Sequence, residues 1–202
     1  MIYEELPLIC TFKFMQKKIV ILASGSGSNA ENIVRYFKNN SEISVHSILT
    51  NNPVAGVVQR AASLDIPCIA FDPQVETPSF LENYLSNISP DLIVLAGYLK
   101  KIPPEITYLF PNKIINIHPA LLPKFGGKGM YGMHVHRAVK ESGEDKTGIS
   151  IHYVNEAYDE GAIIFQAECS LSSEDTPEGI AEKIHQLEFM HFPKVIESVL
   201  NG

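Results

Sequence analysis

Five apolar runs read as strands: KIVILA (18–23), SVHSILT (44–50), PCIAF (67–71), DLIVLAG (91–97) and KIINIH (113–118). Stretches with helical spacing, at 29–39, 54–64 and 79–87, lie between them. The strands are apolar on both faces. Such strands need a helix layer above and another below, and a helical crossover returns each strand parallel to the last. This alternation predicts an α/β fold with a mostly parallel, Rossmann-like sheet and helices on both faces.

The pattern changes after residue 118. A glycine-rich loop, KFGGKGMYG (124–132), leads to a helix near 134–142. TGISIHYV (147–154) and AIIFQAEC (162–169) follow, joined by NEAYDEG (155–161). So short a connection predicts an antiparallel strand pair in the C-terminal part. Thr176 as N-cap, Pro177 and Glu178 open a last helix that runs to about Leu200. Residues 17–202 read as a single domain and 1–16 as an N-terminal extension. That opening carries Glu4 and Glu5 where a signal peptide needs positive charge, and Met15 before QKKIVIL is a natural second start.

The turn ASGSGSN (23–29) joins the first strand to the first helix. Gly25, Gly27 and Ala30 match G-x-G-x-x-A, in the strand-to-helix context that a phosphate-binding turn needs. A dinucleotide site also needs a carboxylate at the end of the second strand, and SILTNNPV has none there. A nucleoside triphosphate would require Gly-Lys-Ser/Thr, also missing. A phosphate monoester remains, held by the backbone N–H groups of Gly27, Ser28 and Asn29 and by the Ser28 hydroxyl. The alternative is a plain tight turn.

The fifth strand ends in NIHPALLP (116–123). Asn116 and His118 are two apart and share one side of the strand, near the carboxyl end of the sheet where open α/β sheets bind ligands. Asn can donate to an oxyanion, and His can donate and move a proton near neutrality. A structural histidine is the competing reading. Asp159 reads locally as a turn aspartate and His152 as a half-buried strand histidine. His134 and His136 have a pair's look, but on a helix that spacing turns them apart, so no metal is expected.

The 23 acidic and 16 basic residues leave a net charge of −7, which argues against a broad nucleic-acid surface. No run approaches the ~18 apolar residues of a membrane span. Cys10, Cys68 and Cys169 are odd in number and widely spaced, and read as buried thiols of a cytoplasmic protein.

Taken in order, VILASGSGSN, PDLIVLAGYLKKIPPEI, IINIHPALLPKF, GISIHYVNEAYDEGAIIFQAE and EFMHFPKVI resemble the phosphoribosylglycinamide formyltransferase family, over about residues 17–199. The resemblance implies the formyltransferase fold and a one-carbon transferase of purine synthesis. The formyl group of 10-formyltetrahydrofolate, a cosubstrate, would pass to the amine of glycinamide ribonucleotide. It implies Asn116 and His118 at the oxyanion, with His118 also the proton donor and Asp159 supporting it. It further implies that Gly27, Ser28 and Asn29 hold the substrate 5′-phosphate and that Glu188 contacts the ribose. Leu99, Lys100, Lys101 and Ile102, together with Asn116, would bind the folate. The partners implied are small molecules only, with the chain a monomer or homodimer.

Two features depart from the family. The loop after LLP is longer than in many members. The basic residue that many members carry before the 79–87 helix has no match in DPQVETPSF (72–80), and Lys100 or Lys101 is expected to meet the folate tail instead. Methionyl-tRNA formyltransferase, with its extra C-terminal domain and basic surface, and formyltetrahydrofolate hydrolase, with its extra N-terminal domain, fit less well. A non-catalytic nucleotide-binding module would have no use for Asn116, His118 and Asp159 together.

Overall fold

A computed structural model describes residues 16–72 and 79–202. The expectations for residues 1–14, including Cys10, and most of the segment before the 79–87 helix lie outside the described residues.

The elements run β1 (Lys17–Leu22), α1 (Ser28–Phe37), β2 (Ile43–Thr50), α2 (Gly56–Ser63), β3 (Cys68–Ala70), α3 (Ser79–Ile88), β4 (Leu92–Leu95), α4 (Pro104–Leu109), β5 (Ile114–His118), α5 (Met133–Ser142), β6 (Lys146–Tyr153), β7 (Ile163–Ser170) and α6 (Pro177–Asn201). The sheet order is β3-β2-β1-β4-β5-β6-β7. β1 to β5 pair in parallel, β6 lies antiparallel to β5, and β7 lies antiparallel to β6. α4 is an addition to the helices read from the sequence. At six residues it is too short to display a period, and only Pro104 at its start marks it.

The two-faced strands divide the core as their period requires. Ile19 and Ile21 of β1, with Leu92 and Val94 of β4, face α1, α2, α5 and α6, where they meet Ile33, Phe37, Val57, Val135, Ile184 and Phe192. Val20, Leu22, Ile93 and Leu95 face the opposite way, toward Leu81 and Leu85 of α3 and Ile106 of α4. Each such fully buried side chain contributes about 1.5–3 kcal/mol. Cys68 and Cys169 are free and only half-buried, not fully buried as expected. They sit on β3 and β7, the two edge strands, where one flank has no neighbouring strand among the described residues.

This order places the site. The chain leaves β1 for β2 and β3 on one side, then returns through α3 to β4 on the other. The crevice between the turns after β1 and β4 is therefore the switch point, where an open α/β sheet leaves room for a ligand. α6 packs across α1 and α5 and forms one wall. Its start is as expected, with the Thr176 hydroxyl accepting from Gly179 N at 3.1 Å.

Candidate active site

A cavity of about 750 Å³ opens at this switch point. Its lining includes the glycine turn after β1, residues 95–102 after β4, Asn116 and His118 of β5, the loop 127–133, Asp159 and the inner face of α6. Every residue proposed from the sequence as a site residue lies on this one lining.

Gly27 takes a left-handed conformation (φ 78°) just before α1. A Cβ there would press on Val57 of α2 at 2.5 Å, so both the angle and the space demand glycine. The first N–H groups of α1 have no partner within the helix, and Gly27, Ser28 and Asn29 line the cavity. The Asn29 side chain, however, turns away from any phosphate role: its Nδ2 donates to Glu188 Oε2 of α6 at 2.8 Å. His185 Nδ1 donates to the same oxygen at 2.9 Å, and Glu188 raises that imidazole's pKa. Glu188 is 5% exposed, so these donors are what make its burial tolerable. Asn29 Oδ1 and His136 Nδ1 are also buried there, with no hydrogen-bond partner among the described residues. His134, two residues before His136, is exposed, so the two histidines point apart as expected.

On the other side, Leu99–Ile102 form the far wall. The Leu99 N–H is already used, donating to Ser24 Oγ at 2.9 Å. Ile102 is buried, Leu99 is half-exposed, and Lys101 Nζ stands 5.7 Å from the centre of the Tyr158 ring.

At the centre, Asn116, His118 and Asp159 converge. His118 Nε2 donates to the carbonyl of Phe125 at 2.8 Å, because a carbonyl can only accept. Its Nδ1 faces Asp159 Oδ2 at 3.6 Å. Asp159 Oδ2 also accepts from Gly127 N at 2.9 Å, and Asn116 Nδ2 lies 3.5 Å from Oδ1. Asp159 has φ 57°, a left-handed angle that an Asp or Asn side chain tolerates. Burial lowers the pKa of His118; Asp159 and the Phe125 carbonyl pull the other way without winning. For Asp159, burial pushes up, and His152, His118 and the Gly127 N–H together outweigh it, so its carboxyl sits below the usual range. The resting pair is thus a neutral imidazole beside a carboxylate.

One further neighbour, read from the sequence as a half-buried strand histidine, is fully buried. His152, 2% exposed on β6, lies directly across from Asn116 in the sheet register. Its Nε2 meets Asn116 Nδ2 at 3.1 Å, and its Nδ1 meets the Tyr153 carbonyl at 2.9 Å. The hint in the sequence was a histidine next to Ile151 in a strand whose middle is buried. Among the described residues no group of three or more His, Cys, Asp or Glu could hold a metal ion.

The formyl transferase family model matches residues 17–196, nearly the whole described chain. The chain belongs to the formyl transferase family. This formyl transferase is 40% identical over 192 residues to the chloroplastic phosphoribosylglycinamide formyltransferase of Arabidopsis thaliana, covering 91% of this chain and 65% of that protein. It spans 61% of the Vigna unguiculata relative, so the plant proteins are substantially longer. The Bacillus subtilis phosphoribosylglycinamide formyltransferase is 37% identical, with 91% of this chain and 95% of that one covered. Among solved structures, the phosphoribosylglycinamide formyltransferase of Bacillus halodurans superposes with a TM-score of 0.83 at 34% identity, covering 91% of this chain and 95% of that one. The Anaplasma phagocytophilum protein of that name gives 0.84 at 29% identity, covering 92% and 88%. The fold of this formyl transferase is therefore the formyltransferase fold expected from its sequence.

Proposed function

We propose that this chain transfers the formyl group of 10-formyltetrahydrofolate to the amine of N1-(5-phospho-D-ribosyl)glycinamide. The products are formylglycinamide ribonucleotide and tetrahydrofolate, in purine synthesis. The observation that carries the reading is the meeting of Asn116, His118 and Asp159 midway between a phosphate-type helix terminus and a half-apolar wall, inside one cavity. The ribonucleotide lies with its phosphate on the N–H groups of Gly27, Ser28 and Asn29 and its pentose hydroxyls toward Glu188. The folate packs along Leu99–Ile102, with Lys100 or Lys101 toward its acidic tail. Half-buried free thiols at Cys68 and Cys169 fit a reducing, cytoplasmic setting. Among the described residues no helix is long and apolar enough to cross a membrane.

The chemistry follows from the hydrogen bonds. The amine lone pair attacks the formyl carbon, a C–N bond forms, and the carbonyl electrons move onto oxygen. Asn116 Nδ2 meets that oxyanion by giving up its long 3.5 Å contact to Asp159. His118 has its Nε2–H committed to Phe125, so Nδ1 is the nitrogen free to react. Neutral at rest, Nδ1 takes the proton released by the amine, and the imidazolium then faces the Asp159 carboxylate. The Nδ1–H next stabilises the oxyanion and passes its proton to N10 of the folate as the C–N10 bond breaks. The protein ends as it began.

The decisive experiment incubates the purified chain with both substrates and follows formylglycinamide ribonucleotide by mass. Product is expected only with both present. Formate released from the folate without the ribonucleotide, or no transfer at all, refutes the proposal.

A further inference from the structure

The reaction needs the amide of Asn116 to present N–H, not C=O, to the reacting oxygen. An asparagine side chain can turn over by half a rotation and reverse the two, and an acceptor there would repel the developing anion. Something must select the orientation. We infer that His152 is a positioning residue that sets the Asn116 amide with its N–H toward the reaction, an inference that rests on the formyl-transfer reading of this site.

The selection is a chain of donors and acceptors. The Tyr153 carbonyl can only accept, so at 2.9 Å it draws the hydrogen of His152 to Nδ1. In the neutral ring this leaves Nε2 as a bare acceptor. An acceptor 3.1 Å from the Asn116 amide must be met by Nδ2, and Oδ1 there would bring two lone pairs together. Asp159 favours the same orientation, but at 3.5 Å its hold is weak, and it is the contact that must be surrendered in the reaction. His152 keeps its hold throughout. The ring is 2% exposed and set opposite Asn116 by the β5–β6 register. Its Nε2 also stands 3.6 Å from Asp159 Oδ1, beyond hydrogen-bond distance, so the Asn116 amide at 3.1 Å is its nearer partner.

The Tyr153 carbonyl is itself fixed. Tyr153 N donates to Ala162 O at 2.9 Å. Residue 161 is glycine where any Cβ would collide with that carbonyl oxygen. The strand pair β6–β7 thereby sets the tautomer of His152, and through it the polarity of a catalytic amide on β5.

The test uses three substitutions, read alone and with Asn116→Ala. H152Q places an amide oxygen near the Nε2 position and keeps an acceptor for Asn116. H152N imitates only the Nδ1 side, and H152L imitates neither. Loss of one oxyanion donor costs about 100- to 1000-fold in kcat, so H152L and H152N are expected to lose at least about 30-fold in kcat. KM for both substrates should stay within about twofold, and H152Q should recover kcat to within about fivefold of wild type. In the N116A background H152L should change kcat by less than about threefold, because there is no amide left to orient. Thermal melts establish that each variant is folded, and if H152L does not fold, the H152Q and H152N pair carries the comparison. The inference is overturned if folded H152L keeps near wild-type kcat, if its loss is undiminished in the N116A background, or if Gln rescues no better than Asn. If N116A alone leaves kcat unchanged, the formyl-transfer reading of Asn116 fails, and this inference fails with it.

Discussion

Replacing Asp159 with Asn tests whether a charge, and not merely a turn, is needed at this position. The carboxylate stands 3.6 Å from His118 Nδ1, with both side chains largely buried. Once His118 takes the proton, at an effective dielectric of about 20, the ion pair is worth up to about 4.6 kcal/mol. The asparagine carbonyl dipole restores part of this, leaving a loss of about 3 kcal/mol, or roughly two orders of magnitude in kcat. The pKa of His118 should also fall, since burial already lowers it and Asp159 is the main influence in the other direction. The backbone should tolerate the change, because Asn accepts the left-handed angle (φ 57°). Asn can still accept from Gly127 N. Asp159→Ala, by contrast, should melt lower than D159N, by about 1 kcal/mol of backbone strain. The assays are formyl transfer at saturating substrates and NMR titration of His118. A folded D159N enzyme within fivefold of wild-type kcat would refute the electrostatic argument. So would a loss of rate with no movement of the His118 titration, which would leave Asp159 only a relay.

His118→Ala should lower kcat by about 100-fold or more with KM little changed, since it removes both proton carrier and oxyanion donor; a loss under about fivefold takes His118 out of the mechanism. Bulky apolar residues at Ser28 and Asn29 should raise KM for the ribonucleotide about tenfold or more and spare the folate, with the Asn29 change also leaving Glu188 to His185 alone among its side-chain donors. A selective loss of folate affinity would mean the two subsites are reversed. Burial holds His118 and His136 below the ordinary histidine pKa of about 6.5, so as pH falls the unfolded chain takes up protons first. Stability from these groups is complete above about pH 6.5 and is lost as pH drops through their folded-state values; denaturant melts that do not weaken between pH 7.5 and 5 would contradict this. Gly27→Ala combines a strained φ of 78° with contact against Val57, and should cost about 2 kcal/mol, lowering Tm by roughly 4–8 °C. An unchanged Tm would show that the turn can relax.

Much of this molecule was legible in one dimension because local physics wrote it there. A strand apolar on both faces, such as KIVILA, can only lie inside a sheet covered twice, and β1 does send Ile19 and Ile21 one way and Val20 and Leu22 the other. Gly27 was readable because only glycine takes its dihedral angle beside Val57. The common side of Asn116 and His118 follows from the two-residue period of a strand. Asp159 was different. Its turn is visible locally, but only family resemblance, not residue chemistry, pointed it toward His118.

The tertiary structure decided what depends on distance along the chain. Asn29 and Glu188 are 159 residues apart, and no local pattern signals that a buried carboxylate waits for that amide. The neighbourhood of Asn116 and His152 is a property of register: a slip of one residue between β5 and β6 would put their side chains on opposite faces. The state of His118 is likewise collective. Its nearest charge favours the proton and its burial opposes it, and only packing made the second effect the larger. Periodicity and dihedral preference are carried by neighbours in sequence, so they can be read from it. Register, loop return and desolvation arise between segments that meet only when the chain closes on itself.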